Sequence, residues 1–160
     1  MAQDIEAGRQ PQAWDRYHVA SPVIVVGLDG SPSSWDAFAW AAGEATRSNG
    51  KLVAVNVAPF TEVASAFGVP FDYAGVEEAR REVADELKRE ATHRANELGI
   101  ALSFVCEHGD PAHTLTEIAC RLHANLVVVG RSEKVLHHLA GSLSHRLTSQ
   151  NNAPVVVVVP

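Results

Sequence analysis

The chain has 160 residues, 46% of them apolar and 20% charged, which leaves room for one domain with a sizeable core and too little for two. A formal charge of −6, with no basic run longer than Arg80-Arg81, argues against a nucleic-acid surface, which needs a basic face. No apolar run approaches the roughly 18–20 residues of a membrane helix, so no membrane element is expected.

Residues 1–20 show no periodicity and are expected to be an N-terminal arm, disordered or docked through Trp14 and Tyr17, ahead of a domain over 21–160. The arm has no apolar core of the kind a secretory signal requires. Cys106 and Cys120 each lie in an apolar segment and are expected to be small core residues. Two lone thiols suit a reducing cytoplasm better than a disulfide frame, so the expected location is cytoplasmic.

Residues 22–27 read as a first strand, apolar toward both faces as a central parallel strand must be. A turn over 28–32 follows, with Ser31 as N-cap and Pro32 as first helical residue. The helix behind it runs from 33 to about 47, with Trp35, Phe38, Ala39, Ala42 and Ala45/Thr46 at helical spacing, and Asn49-Gly50 stops it. Residues 51–57 are a second strand. The stretch 60–73 has no period and reads as a long loop, of the kind used as a lid or partner surface. A long amphipathic helix is expected over 77–98, with Val83, Leu87, Ala91, Ala95 and Leu98 on one side and Gly99 as its stop.

Residues 100–107 are a third strand. His108-Gly109-Asp110-Pro111 repeats the turn, cap and proline grammar before a helix over 112–123, whose stripe is Leu115, Ile118, Ala119 and Leu122. The fourth strand, 126–129, runs into Gly130 and a polar loop. Gly141-Ser142 then opens a last helix to about Gln150, and Val155–Val159 is the fifth strand. Strand and helix alternate five times without a hairpin signal. That pattern is an open parallel sheet with helices on both faces. Nothing follows the five valines to cover that edge, so pairing with a second copy, a two-fold homodimer, is expected.

The order buried strand, glycine loop, helix start at 126–144 is one that builds an anion site from backbone N–H groups and the helix dipole. Ser142 as a plain helix cap, and Asp29 as a plain turn former, remain equal readings of the same residues. Leu28-Asp29-Gly30-Ser31 is similar to the D-x-D-G-[S/T] loop of haloacid-dehalogenase-like phosphatases, but Gly27 stands where that mechanism needs its nucleophile. There is no Walker loop and no G-x-G-x-x-G fingerprint. His137, His138 and His145 lack the spacing of a zinc site and read as surface histidines, so no metal ligands are expected. No triad or paired carboxylates emerge, and no catalytic residue is assigned; a slow hydrolase ranks behind a binding module.

Four pieces together carry a family resemblance: residues 25–31, 108–111, 124–130, and 140–144 leading to 153–158. In that order they resemble a universal stress protein domain, of the adenine-nucleotide alpha-hydrolase-like group, over nearly everything beyond the arm. The resemblance implies a strand order 3-2-1-4-5 and a homodimer through Val155–Val159. It implies a regulatory module rather than an enzyme. Its nucleotide loop has the pattern G-x2-G-x9-G-[S/T], and the residues matching the binding set are Asp29, Val57, Gly130, Gly141, Ser142, Leu143 and Ser144. The implied ligand is ATP or another adenine nucleotide, with Mg2+ if ATP.

Two departures bear on that ligand. Glu133 occupies the middle glycine position, and seven residues instead of nine separate it from Gly141. A side chain forced to positive φ there costs on the order of 1–2 kcal/mol. A carboxylate facing a triphosphate adds roughly 3 kcal/mol per unit-charge pair at about 5 Å and an effective dielectric near 20. Arg131, Lys134, His137 and His138 offset part of this. Two readings therefore stand: a module that binds an adenine nucleotide, and a non-nucleotide-binding dimeric interaction protein of the same family.

Overall fold

A computed structural model describes residues 21–58, 73–131, 143–149 and 155–160. Nine elements follow in chain order: β1 (Val23–Gly27), α1 (Pro32–Ser48), β2 (Lys51–Ala58), α2 (Tyr73–Glu97), β3 (Leu102–His108), α3 (Pro111–Arg121), β4 (Leu126–Gly130), α4 (Leu143–Thr148) and β5 (Val155–Val159). The strands form one all-parallel sheet in the order β3-β2-β1-β4-β5. This is the expected class and order. The expected arm, the loop expected over 60–73 apart from Tyr73, which instead begins α2, and Glu133, Gly141 and Ser142 lie outside the described residues.

Alternation along β1 explains the two layers. Ile24 and Val26 point into one core with Phe38, Ala41 and Ala42 of α1 and Leu87 and Ala91 of α2. Val25 points into the other, with Leu115, Ile118 and Ala119 of α3 and Leu147 of α4. The middle of β1 is therefore buried on both faces, as its unbroken apolar run requires.

The helix boundaries follow their capping chemistry. Ser31 is the N-cap of α1, its side chain accepting from the Ser34 N–H at 3.2 Å, with Pro32 behind it. Asn49 closes the same helix in the left-handed region at φ 51°. Asp110 caps α3, accepting from the His113 N–H at 3.0 Å, with Pro111 first in the helix. Helix α1 is also locked to α2. Trp35 packs edge-on against Phe38 at 5.6 Å, and the Arg94 guanidinium lies 4.3 Å above the Trp35 ring.

Several burial expectations are corrected. The inward face of α1 is Ser34, Ala37, Phe38, Ala41, Ala42 and Ala45, whereas Ala39 and Thr46 are exposed. Helix α2 starts at Tyr73, four residues ahead of the expected start, and is longer than the surface it covers. Leu87, Ala91 and Ala95 are buried, but Val83 and Leu98 at either end of the stripe are exposed. Leu122, beyond the end of α3, is also partly exposed. Cys106 and Cys120 are not core residues. Both side chains are exposed, because β3 is an edge strand and Cys120 follows the last inward residue of α3. No helix among the described residues is long and apolar enough to cross a membrane.

Candidate functional site

The chain leaves β1 for α1 on one face of the sheet and returns through α3 on the other. The carboxyl ends of β1 and β4 therefore diverge into a crevice, the usual ligand position in such a sheet. A cleft of about 610 Å³ occupies it, within the size range of small-molecule sites. Its apolar wall is Val55 and Val57 of β2, Leu115 of α3 and Val129 of β4. Its polar rim is Asp29, Ser31, Ser33, Ser34 and Arg146.

The β1 exit is built from short-range bonds. Pairing extends one residue past β1, with the Leu28 N–H donating to the Val55 carbonyl at 2.8 Å. Asn56 Nδ2 donates to the Leu28 carbonyl at 2.8 Å and holds the turn from the β2 side. Gly30 then adopts φ +86°, a conformation side chains resist, so the chain reverses under Asp29. Asp29 Oδ1 accepts from the Ser31 N–H at 2.9 Å and the Ser31 hydroxyl at 2.6 Å. The Ser34 hydroxyl also bonds to this carboxylate. Partial burial pushes the Asp29 carboxyl up, but the bonds from Ser31 and Ser34 outweigh it and leave the group below its ordinary value. Asp29 is thus a turn former whose carboxylate also lines the cleft.

Gly130 ends β4 against the first turn of α1. A Cβ built on it would lie 2.3 Å from the Ser33 carbonyl oxygen and 2.8 Å from the Ser34 nitrogen. No side chain fits there without moving α1. The next residue keeps the sheet together, the Arg131 N–H donating to the Val159 carbonyl at 2.8 Å.

On the far rim, Arg146 of α4 forms a two-pronged ion pair with Asp110, Nη1 to Oδ2 and Nη2 to Oδ1, each 2.8 Å. The arginine's hydrogen bonds, first among the causes, hold the Asp110 carboxyl below its ordinary value, aided by the His113 N–H. The fork ties α4 to the start of α3.

Of the residues expected from the sequence, Asp29, Val57, Gly130 and Leu143 converge on the cleft. Ser144 lies on α4, half-buried, and is not among the lining residues. Gly141 and Ser142 fall outside the described residues. The sequence reading missed Arg146 and the serines of α1. Ser31 was read only as a cap, and a single arginine in a short helix carries no spacing signal. Cys106 stands apart from the cleft, its Sγ–H reaching Asn56 Oδ1 at 3.7 Å. Burial and the charges of Glu107, Glu77 and Asp85 push that thiol up, away from nucleophilic use. Among the described residues no group of three His, Cys, Asp or Glu is placed to hold a metal ion.

Comparison with known proteins agrees with this architecture. Residues 22–159 match the Universal stress protein family. A universal stress protein of Mycobacterium tuberculosis is 32% identical over 152 residues, which cover 84% of this chain and 47% of the relative. The chain thus spans about half the length of the mycobacterial relatives it matches. A crystal structure from this family in Burkholderia pseudomallei, 25% identical, superposes with a TM-score of 0.69 over 86% of this chain and 95% of that one. A universal stress protein crystallised in complex with cAMP, also 25% identical, gives 0.63 over 87% and 96%. By sequence match and by fold, this chain belongs to the universal stress protein family.

Proposed function

We propose that this protein is a regulatory module, not an enzyme, whose cleft takes an adenine nucleotide. The observation that carries the reading is the convergence of Asp29, Val57, Gly130 and Leu143, from four separate stretches of chain, on one cleft of about 610 Å³. The residues present suit the group. Val55, Val57, Leu115 and Val129 offer an apolar slot for a base, and the Asp29 carboxylate on the rim suits ribose hydroxyls. The similar protein crystallised with cAMP supports the ligand class. By the family pattern Gly141 and Ser142 would supply phosphate contacts, and Mg2+ would enter with ATP rather than with a monophosphate.

Calorimetry with ATP, AMP and cyclic AMP tests this reading. Sub-millimolar binding of AMP or cyclic AMP is the expected result. Affinity weaker than millimolar for all three overturns it.

The alternative, a dimeric interaction protein that holds no nucleotide, draws on β5. Among the described residues that strand pairs with β4 alone, and Val155 and Val158 are exposed on it. In either reading we propose a homodimer through Val155–Val159, in a reducing cytoplasm that keeps Cys106 and Cys120 as thiols.

A further inference from the structure

Among the described residues lining the cleft, Arg146 is the one cationic side chain and Asp29 the one anionic one. The two stand on different walls. Asp29 leaves β1, and Arg146 projects from α4, which is held against the sheet by the fully buried Leu147. Arg146 spends one N–H from each terminal nitrogen on Asp110. A guanidinium has five such donors in a planar fork, so three remain among the described residues, and their geometry suits a phosphate as well as a carboxylate. Asp110 is not among the cleft-lining residues, and its carboxylate also serves the α3 cap.

The pair is solvated, with the Arg146 and Asp110 side chains 44% and 40% exposed. Exposed ion pairs are weakly held, so exchange of one anion for another is inexpensive. We propose that Arg146 is the anchor for the phosphate of a nucleoside monophosphate in this cleft, and that Asp110 is its built-in competitor. In the empty cleft Asp110 keeps the guanidinium folded along the rim. A phosphate dianion, with more charge and more acceptor oxygens than a carboxylate, takes over the fork or the spare donors. This role deepens the nucleotide reading and rests on it.

The test compares AMP with adenosine, because the ratio of their affinities isolates the phosphate. Arg146→Ala is expected to weaken AMP binding roughly tenfold or more while leaving adenosine unchanged. Arg146→Lys, which keeps the charge but loses the fork, should fall between. Asp110→Asn keeps an equally good helix cap and removes the competing charge, so AMP should bind several-fold tighter, again with adenosine unchanged. If Arg146→Ala leaves the ratio as in the wild type, or weakens both ligands equally, the anchor role is overturned. If Asp110→Asn weakens AMP binding or leaves it unchanged, the competition is overturned. Should Arg146→Ala not fold, Arg146→Lys and Asp110→Asn decide by the same ratio. Wild-type protein that binds neither adenosine nor AMP overturns the nucleotide reading itself, and this role with it.

Discussion

Gly130 and Ser33 approach so closely that a single added carbon on Gly130 would overlap the Ser33 carbonyl at 2.3 Å. The contact joins the end of β4 to the first turn of α1, so the requirement for glycine is met by packing before any ligand arrives. Gly130→Ala should therefore destabilise the apo protein, by about 1–3 kcal/mol for overpacking against backbone. Thermal unfolding without ligand checks this. An unchanged melting temperature would show that α1 shifts freely, and would return the glycine to a purely ligand-driven explanation.

Asp29 has two separable duties. Its Oδ1 holds Ser31 at 2.9 and 2.6 Å, and its carboxylate charge lines the cleft that the proposed nucleoside would occupy. Asp29→Asn keeps an acceptor for Ser31, so stability should change by less than about 1 kcal/mol. Adenosine affinity should nevertheless fall roughly tenfold, because the charged acceptor is gone. The folded group lies below its ordinary 3.8, so it is ionised throughout the neutral range. Adenosine binding should accordingly be flat with pH above that value and decline only in acid. A decline centred near neutrality would assign the binding to a different group.

How much of this was legible in the sequence depends on how local the cause is. The caps at Ser31-Pro32 and Asp110-Pro111 were readable because a hydroxyl or carboxylate followed by proline acts within one turn. The two-faced burial of β1 was readable from its unbroken apolar run. Exposure of Cys106 was not, since it depends on β3 being an edge strand, a property of the whole sheet. Nor was the Arg146–Asp110 fork, which joins residues 36 apart through the packing of α4 on α3. Asp29 was legible as a turn former. That its carboxylate also lines the cleft needed coordinates.

The fork also predicts an acid response. The Asp110 carboxyl lies below 3.8 in the folded protein, held there first by Arg146. Its contribution to stability is thus fully present above the unfolded value. It is lost as pH falls from there through the depressed folded value. Wild type should be more stable than Asp110→Asn at neutral pH by a small margin, as for other exposed pairs, and the difference should vanish in acid. Melting temperatures of both proteins from neutral pH downward read this out; a gap that widens on acidification contradicts the assignment.

On the nucleotide reading proposed above, the departures at Glu133 and in loop length bear on ATP more than on AMP, which lacks the outer phosphates. Glu133→Gly removes both the side chain and its charge from the position where the family pattern has glycine. ATP affinity should rise by tenfold or more if backbone and charge are the obstacles. AMP affinity should change less. No gain for ATP would place the obstacle in the two missing residues instead.

The assembly prediction rests on β5. Its residues pair with β4 in register from Val155 on Leu126 to Val159 on Gly130, and no described strand lies on its other side. Val157 and Val159 pack toward one core and Val156 toward the other, so the strand is anchored. Val155 and Val158 remain 63% and 41% exposed. Five valines with an open ladder are an aggregation hazard unless the edge is paired. Pairing β5 with β5 of a second copy about a two-fold axis satisfies both ladders at once and closes the assembly. Val158→Lys places a charge on that edge in both copies, a device that blunts edge pairing, at a site where an exposed side chain costs the fold little. Light scattering after gel filtration should find a dimer for the wild type and a monomer for the variant. Because Val158 does not line the cleft, AMP affinity should be unaltered in that monomer. A variant that stays dimeric would move the interface elsewhere, and a monomeric wild type at tens of micromolar would remove it.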